Sequence, residues 1–160
     1  MMHRPTTSVA DILLQHRVLF LSGRITPRLA ERVIGALMLL ATDDSQTPID
    51  LYINSSGGEP ASARAIVDAI QTIRPPVRTT CLGQAGGPAV WILAAGQQGR
   101  RRAGQRASIL LSVEPGPSTT RAITPRAAID AGIIDAVITP SQCAGMDVEA
   151  AKESVLQGDH

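Results

Sequence analysis

At 160 residues and 44% hydrophobic content, the chain is long enough for one domain with a proper core and too short for two. Only 2% of it is aromatic, so Ala, Val, Ile and Leu must fill that core by close packing. Fifteen basic against 14 acidic residues leave a net charge near +1, which excludes a bulk electrostatic drive toward nucleic acid or anionic membrane.

Cysteine and apolar patterning narrow the setting. Cys81 and Cys143 are far apart and form neither a metal spacing nor a disulfide framework, so a reduced, cytoplasmic location is expected. The apolar run Val18 to Leu21 is too short and too late for a signal segment, and nothing reaches the ~18 apolar residues of a membrane span.

In chain order, residues 1–10 are expected to be a flexible N-terminal segment, because they are polar and punctuated by Pro5. Asp11 to Gln15 can form one helical turn before Arg17 to Gly23 (RVLFLSG), a buried strand. Thr26 reads as an N-cap with Pro27 at the first helical position. Leu29, Val33, Ile34, Leu37 and Leu40 then recur at helical spacing as far as Asp43. Ile49 to Asn54 is a second strand, followed by the turn SSGGEP and a helix over Ala61 to Ile73.

Val77 to Leu82 is the next strand. From Cys81 to Gly96 the sequence CLGQAGGPAVWILAAG gives a strand end, a glycine elbow and an apolar helix ending near Gln97. Such elbows carry nucleophiles in many α/β enzymes, yet this tip is Gly86, Gly87 and Pro88, none of which can attack a carbonyl. Both glycines are expected to pack closely where strand meets helix. Arg100 to Arg106 reads as a basic loop, Ser108 to Val113 as a strand, and Glu114 to Ser118 as a break. Thr124 caps a short helix closed by Gly132, and Ile133 to Ile138 is the final strand. Weak helical character over Val148 to Val155 precedes a polar end. Alternating strands and helices imply a mostly parallel sheet with right-handed crossovers.

Other candidate groups carry bland readings. Ser55, Ser56 and Ser62 need a base, and His3, His16 and His160 lie at or near the ends, as does the only lysine, Lys152. Cys81 reads as a small buried hydrophobe, Arg100 to Arg102 as a solvated or subunit-facing loop, and Glu114 as an exposed strand end.

Taken in order, HRVLFLSGRI, DLYINSSGGEPASARAIVDAIQTIRPPVRTTCLGQA, AVWILAAGQQGRR and ITPRAAIDAGIIDAVI resemble the proteolytic subunit of Clp protease from Asp11 to Ile138. The resemblance implies a crotonase-like fold, a β-superhelix of strand-helix units, as a head domain over 11–138 with a tail over 139–160. It also implies rings that enclose a proteolytic chamber fed by an ATP-driven unfoldase, and a Ser, His and Asp triad. Placed on the family pattern, the nucleophile position is Gly87 and the base position is Val113. No carboxylate lies between Glu114 and Asp130, where only a few residues stand in place of the family's long handle helix. The oxyanion-hole remnant is Gly57, Gly58 and Pro88, and Pro88 has no N–H to donate.

The resemblance therefore implies a degenerate, proteolytically inactive pseudo-subunit without metal or cofactor. Its expected partners are further copies of itself or a complete Clp-type subunit, with a Clp unfoldase as a further partner, and neither nucleic acid nor membrane. Two alternatives are an active Clp-type serine endopeptidase with a non-standard site and a crotonase-like acyl-CoA binder.

Overall fold

The computed structural model describes residues 7–113 and 119–139. Its elements, in chain order, are α1 (Val9–Gln15), β1 (Val18–Ser22), α2 (Pro27–Asp43), β2 (Ile49–Ser55), α3 (Pro60–Thr72) and β3 (Val77–Gly86). They continue with α4 (Pro88–Ala94), β4 (Arg101–Gly104), β5 (Ser108–Val113), β6 (Thr119–Ile123), α5 (Pro125–Asp130) and β7 (Ala136–Ile138). The strands form one mixed sheet in the order β1-β2-β3-β4-β7, and β5 and β6 branch from β3. Every pairing is parallel except that of β5 with β6. This is the mostly parallel α/β architecture expected of the Clp protease fold.

Period-2 burial builds the core. Leu21, Ile53, Cys81 and Ala103 share one row of the sheet, and all four are fully buried. Ala30, Val33, Leu37 and Leu40 of α2 and Ala63, Ile66 and Ile70 of α3 supply apolar stripes to the same core. The predicted caps are present: Thr26 accepts the Leu29 N–H, Thr124 accepts the Ala127 N–H, and Pro27 and Pro125 open their helices. Gly132 adopts φ +73 just past α5.

Several expected boundaries move, each for a local reason. Helix α1 begins at Val9, inside the stretch expected to be flexible, because Ser8 and Asp11 form a reciprocal capping box. Residues 1–6 of that segment lie outside the described residues. The helix placed at 61–73 runs 60–72, and the helix placed to Gln97 ends at Ala94. The strand expected to stop at Leu82 continues to Gly86. Gly83 takes φ +82 there, and β3 passes from pairing with β4 through Thr79–Cys81 to pairing with β5 through Gln84–Gly86.

The basic loop at Arg100 to Arg106 is instead the site of β4. Arg101 becomes strand-compatible because Asp135 takes its charge, accepting from Nη2 at 2.8 Å, from Nε at 2.9 Å and from the backbone N–H at 2.9 Å. After the break, β6 pairs antiparallel with β5, a strand whose polar sequence TTRAI carries no buried alternation. The last strand is shorter than expected. Ile133 and Ile134 donate to the Ala128 carbonyl and close α5 before β7 begins. The helical tendency at Val148 to Val155 and the tail from Pro140 lie outside the described residues.

Arg17 pins the first strand to the layer above. It is the one non-glycine residue with positive φ, +60, among the described residues. Its guanidinium donates to the carbonyls of Leu40, Asp44 and Thr47, each at 2.9 Å, and Pro48 at 3.4 Å. The end of α2 and the start of β2 are thereby tied together.

Candidate functional site

The glycine turn after β2 and the elbow after β3 meet at the carboxyl ends of their strands, where ligands bind in parallel α/β sheets. Asn54 joins the two, since its Oδ1 accepts the Gln84 N–H at 3.3 Å. A groove of about 450 Å³ opens between them, lined by Gly58, Pro60, Gly87, Pro88, Val90, Trp91, Leu111 and Ser112. Its walls are mainly apolar. Trp91 is 42% exposed, and the Arg64 guanidinium stands 6.0 Å from its ring centroid.

Gly87 has φ +48 and ψ −120, the twisted conformation that glycine adopts without steric cost in a tight turn. Its N–H donates to the Leu110 carbonyl at 2.9 Å, which locks the elbow onto β5. The elbow geometry is therefore in place, and the side chain it would present is a hydrogen. A Cβ added at Gly87 would meet only Ser112 Oγ, at 3.7 Å. Close packing was expected of both glycines, but only Gly86 shows it: its Cβ would stand 2.5 Å from the Ser56 carbonyl oxygen.

The turn residues divide their amides differently from the expectation. The Gly57 N–H donates to the buried Ser55 hydroxyl at 3.1 Å, and that hydroxyl in turn donates to the Gly57 carbonyl at 3.3 Å. Gly57 is thus committed to its own turn. Gly58 lies opposite Ile25 in a parallel bridge made by Ile25 N–H to Gly57 O and Glu59 N–H to Ile25 O, each at 2.9 Å. That bridge uses neither polar group of Gly58, which lines the groove. Pro88 also lines it and brings no donor.

Val113 ends β5 opposite Thr119, and its side chain lies outside the described residues, as does Glu114. The chemistry that remains is sparse. Ser112 enters the groove beside Gly87, a position the sequence reading missed because its neighbour Val113 held the base position. Among the described residues the only histidine is His16, at the C-terminal cap of α1. Asp130 is exposed at the end of α5. Cys81 is fully buried in β3, where burial pushes its thiol up to about 11, so it behaves as the small hydrophobe expected. No group of three metal-ligating side chains occurs among the described residues.

Comparison with known proteins fits this scaffold. The family model for Clp protease matches residues 3–121. The chain is 46% identical over 89 residues to an ATP-dependent Clp protease proteolytic subunit of Borreliella afzelii (strain PKo), a match covering 56% of this chain and 45% of that protein. It is 45% identical over 89 residues to ATP-dependent Clp protease proteolytic subunit 1 of Borreliella burgdorferi (strain ATCC 35210 / DSM 4680 / CIP 102532 / B31), covering 56% and 46%. The same figures hold for a proteolytic subunit of Borrelia garinii subsp. bavariensis. The chain spans about half the length of the curated relatives it matches. No described helix is long and apolar enough to cross a membrane. With a matching family model across most of its length and a parallel sheet that bears the glycine turn and the elbow, the chain belongs to the Clp protease family.

Proposed function

We propose that this chain is a non-catalytic member of the family, a pseudo-subunit with a structural or regulatory role in a Clp-type protease assembly in the cytoplasm. The observation that carries the reading is Gly87, a residue without a side chain in nucleophile-elbow geometry, followed by a proline that cannot donate to an oxyanion. Loss of one oxyanion donor alone typically costs ~3 kcal/mol of transition-state stabilisation. Ser112 does not repair the loss, because no described histidine or lysine stands near it to take its proton.

As partners we propose further copies of this chain or a complete Clp-type proteolytic subunit, with a Clp unfoldase engaging the assembly. Head-to-head association is supported by Met38 and Leu39 on α2, which are 51% and 59% exposed, and by the apolar groove between α2 and α3. Five residues, Glu114 to Ser118, separate β5 from β6, too few for a long helix that interdigitates with a second ring. We therefore expect a single ring or a smaller oligomer of this chain alone, measurable by native mass spectrometry. Sedimentation as a homogeneous double ring would count against it.

The pseudo-subunit reading is tested by fluorophosphonate labelling and fluorogenic-peptide hydrolysis with the purified chain. No labelled serine and no turnover are expected, whereas labelling of Ser112 or another serine would replace the reading with an active, non-standard endopeptidase. Co-purification with a catalytically complete subunit from the native cell would place it in a mixed particle.

A further inference from the structure

Strand β5 outruns its neighbour β3. The last register pair of the two is Gly86 with Leu110, and the Leu110 carbonyl accepts the Gly87 N–H at 2.9 Å. Backbone polar groups alternate sides along a strand, so Ser112, two residues on, turns its N–H and C=O the same way, past the end of β3 and into the groove that it lines. Among the described residues these groups and the Ser112 hydroxyl have no hydrogen-bond partner. Gly58 faces the groove from the other wall. Its bridge to Ile25 is made by Gly57 and Glu59, so its own N–H points away from Ile25, toward the elbow.

Between these donors lies the space left by the missing side chain of Gly87, where a Cβ would meet only Ser112 Oγ, at 3.7 Å. No acidic residue lines the groove, and the Arg64 guanidinium stands over Trp91 on its wall. Free donors without an acidic neighbour, beside a cation, favour an anionic oxygen. The remaining walls are apolar, and the groove's volume of about 450 Å³ falls among ligand-sized pockets. The open edge of β5 adds a main-chain requirement that an extended peptide meets and a fatty acid does not.

We propose that the groove receives the C-terminal end of a peptide. The terminal carboxylate occupies the space beside Gly87 and accepts from the Gly58 N–H and the Ser112 hydroxyl, the last side chain is apolar and packs on Trp91 and Val90, and the preceding main chain pairs with the β5 edge at Ser112. This rests on the non-catalytic reading, since a nucleophilic side chain at position 87 would fill the carboxylate's place. The groove then sorts ligands by their ends. A free apolar C terminus supplies the anionic oxygens and is held, whereas an internal segment supplies none.

The test uses the full chain and an acetylated tetrapeptide of three alanines and a final leucine, as the free acid and as the C-terminal amide. Trp91 is the only tryptophan in the chain, so its emission reports occupancy of the groove. Saturable change with the free acid is expected, with a Kd about tenfold below that of the amide. Ser112→Ala and Gly87→Ala should each weaken the free acid by about tenfold and leave the amide within about twofold. Equal affinity for acid and amide, or acid binding unmoved by both variants, would overturn the proposal, as would octanoate binding as tightly as the peptide acid. Mass spectrometry of the same mixtures separates the two readings: hydrolysis of a peptide bond would overturn the non-catalytic assignment and this proposal with it, whereas intact peptides with no preference for the acid overturn this proposal alone.

Discussion

Gly86 lies so near Ser56 that a Cβ added to it would stand 2.5 Å from the Ser56 carbonyl oxygen and 2.9 Å from its carbon, both backbone atoms that cannot step aside. One residue later, Gly87 has open space around it and a positive φ. The two glycines are therefore required for different reasons, and their alanine variants should separate. Gly86→Ala overpacks the contact between the glycine turn and the elbow and should cost about 3 kcal/mol. Gly87→Ala meets only backbone strain and should cost about 1 kcal/mol. Urea midpoints of the two variants check this, and equal losses would refute the distinction.

Gly87→Ser should not restore peptidase activity. The new hydroxyl would sit at the elbow, but Pro88 offers no N–H and the Gly57 N–H is held by Ser55. With no base in reach, it stays a weak nucleophile. Hydrolysis of an unstructured peptide above the level of the parent chain would show that a base lies where none is described.

The ion pair between Arg101 and Asp135 should make stability fall in acid. Hydrogen bonds from the Arg101 side chain hold the Asp135 carboxyl at about 2, against an ordinary value of 3.8. A folded-state value below the unfolded one gives stability that is complete above 3.8 and lost as the pH falls toward 2. Because the pair is partly solvated, its share is about 1 kcal/mol. Asp135→Asn should lower the urea midpoint at neutral pH, and the gap between variant and parent should close as the pH is taken down through that window. A gap that persists unchanged at pH 2 would mean that the carboxylate charge is not what Arg101 uses.

Arg17→Lys should destabilise the chain despite keeping the charge. A lysine ammonium cannot serve four carbonyls spread over Leu40, Asp44, Thr47 and Pro48 in the way a planar guanidinium does. A loss of about 2 kcal/mol is expected, with the frayed end of α2 visible as faster amide exchange at Asp44. Arg17→Gly would relieve the backbone strain at φ +60 and still lose the clamp, so it should recover only part of that loss.

The elements most legible in the sequence were those whose signals are local. Thr26 with Pro27 and Thr124 with Pro125 announce helix starts, and apolar alternation marks β1, β2 and β5. Strand β4 was hidden because its arginines read as solvent-facing until Asp135, 34 residues away, neutralises one of them. Strand β6 was hidden because a polar strand paired on β5 needs no buried face of its own. At the site, the glycine elbow without a nucleophile could be read directly from Gly86, Gly87 and Pro88. That the Gly57 amide is spent within its own turn could not, since that depends on the rotamer of Ser55. Trp91 was missed because nothing in its neighbours tells which side of α4 meets the groove.

The change of partner along β3 has an architectural consequence. Because β3 gives Thr79 to Cys81 to one neighbour and Gln84 to Gly86 to another, the ribbon of β5 and β6 hangs from the main sheet as a side branch, joined to β3 by three register pairs. Lengthening or shortening the connection between β5 and β6 acts first on that branch and on the elbow, which it holds through the Gly87 N–H and the Leu110 carbonyl. The core row through Leu21, Ile53 and Cys81 runs through β1, β2 and the first half of β3, which do not pair with the branch. A fold wired in this way tolerates wholesale change at one margin, and inherited variation in the working parts can accumulate there without compromising the foundation that carries them.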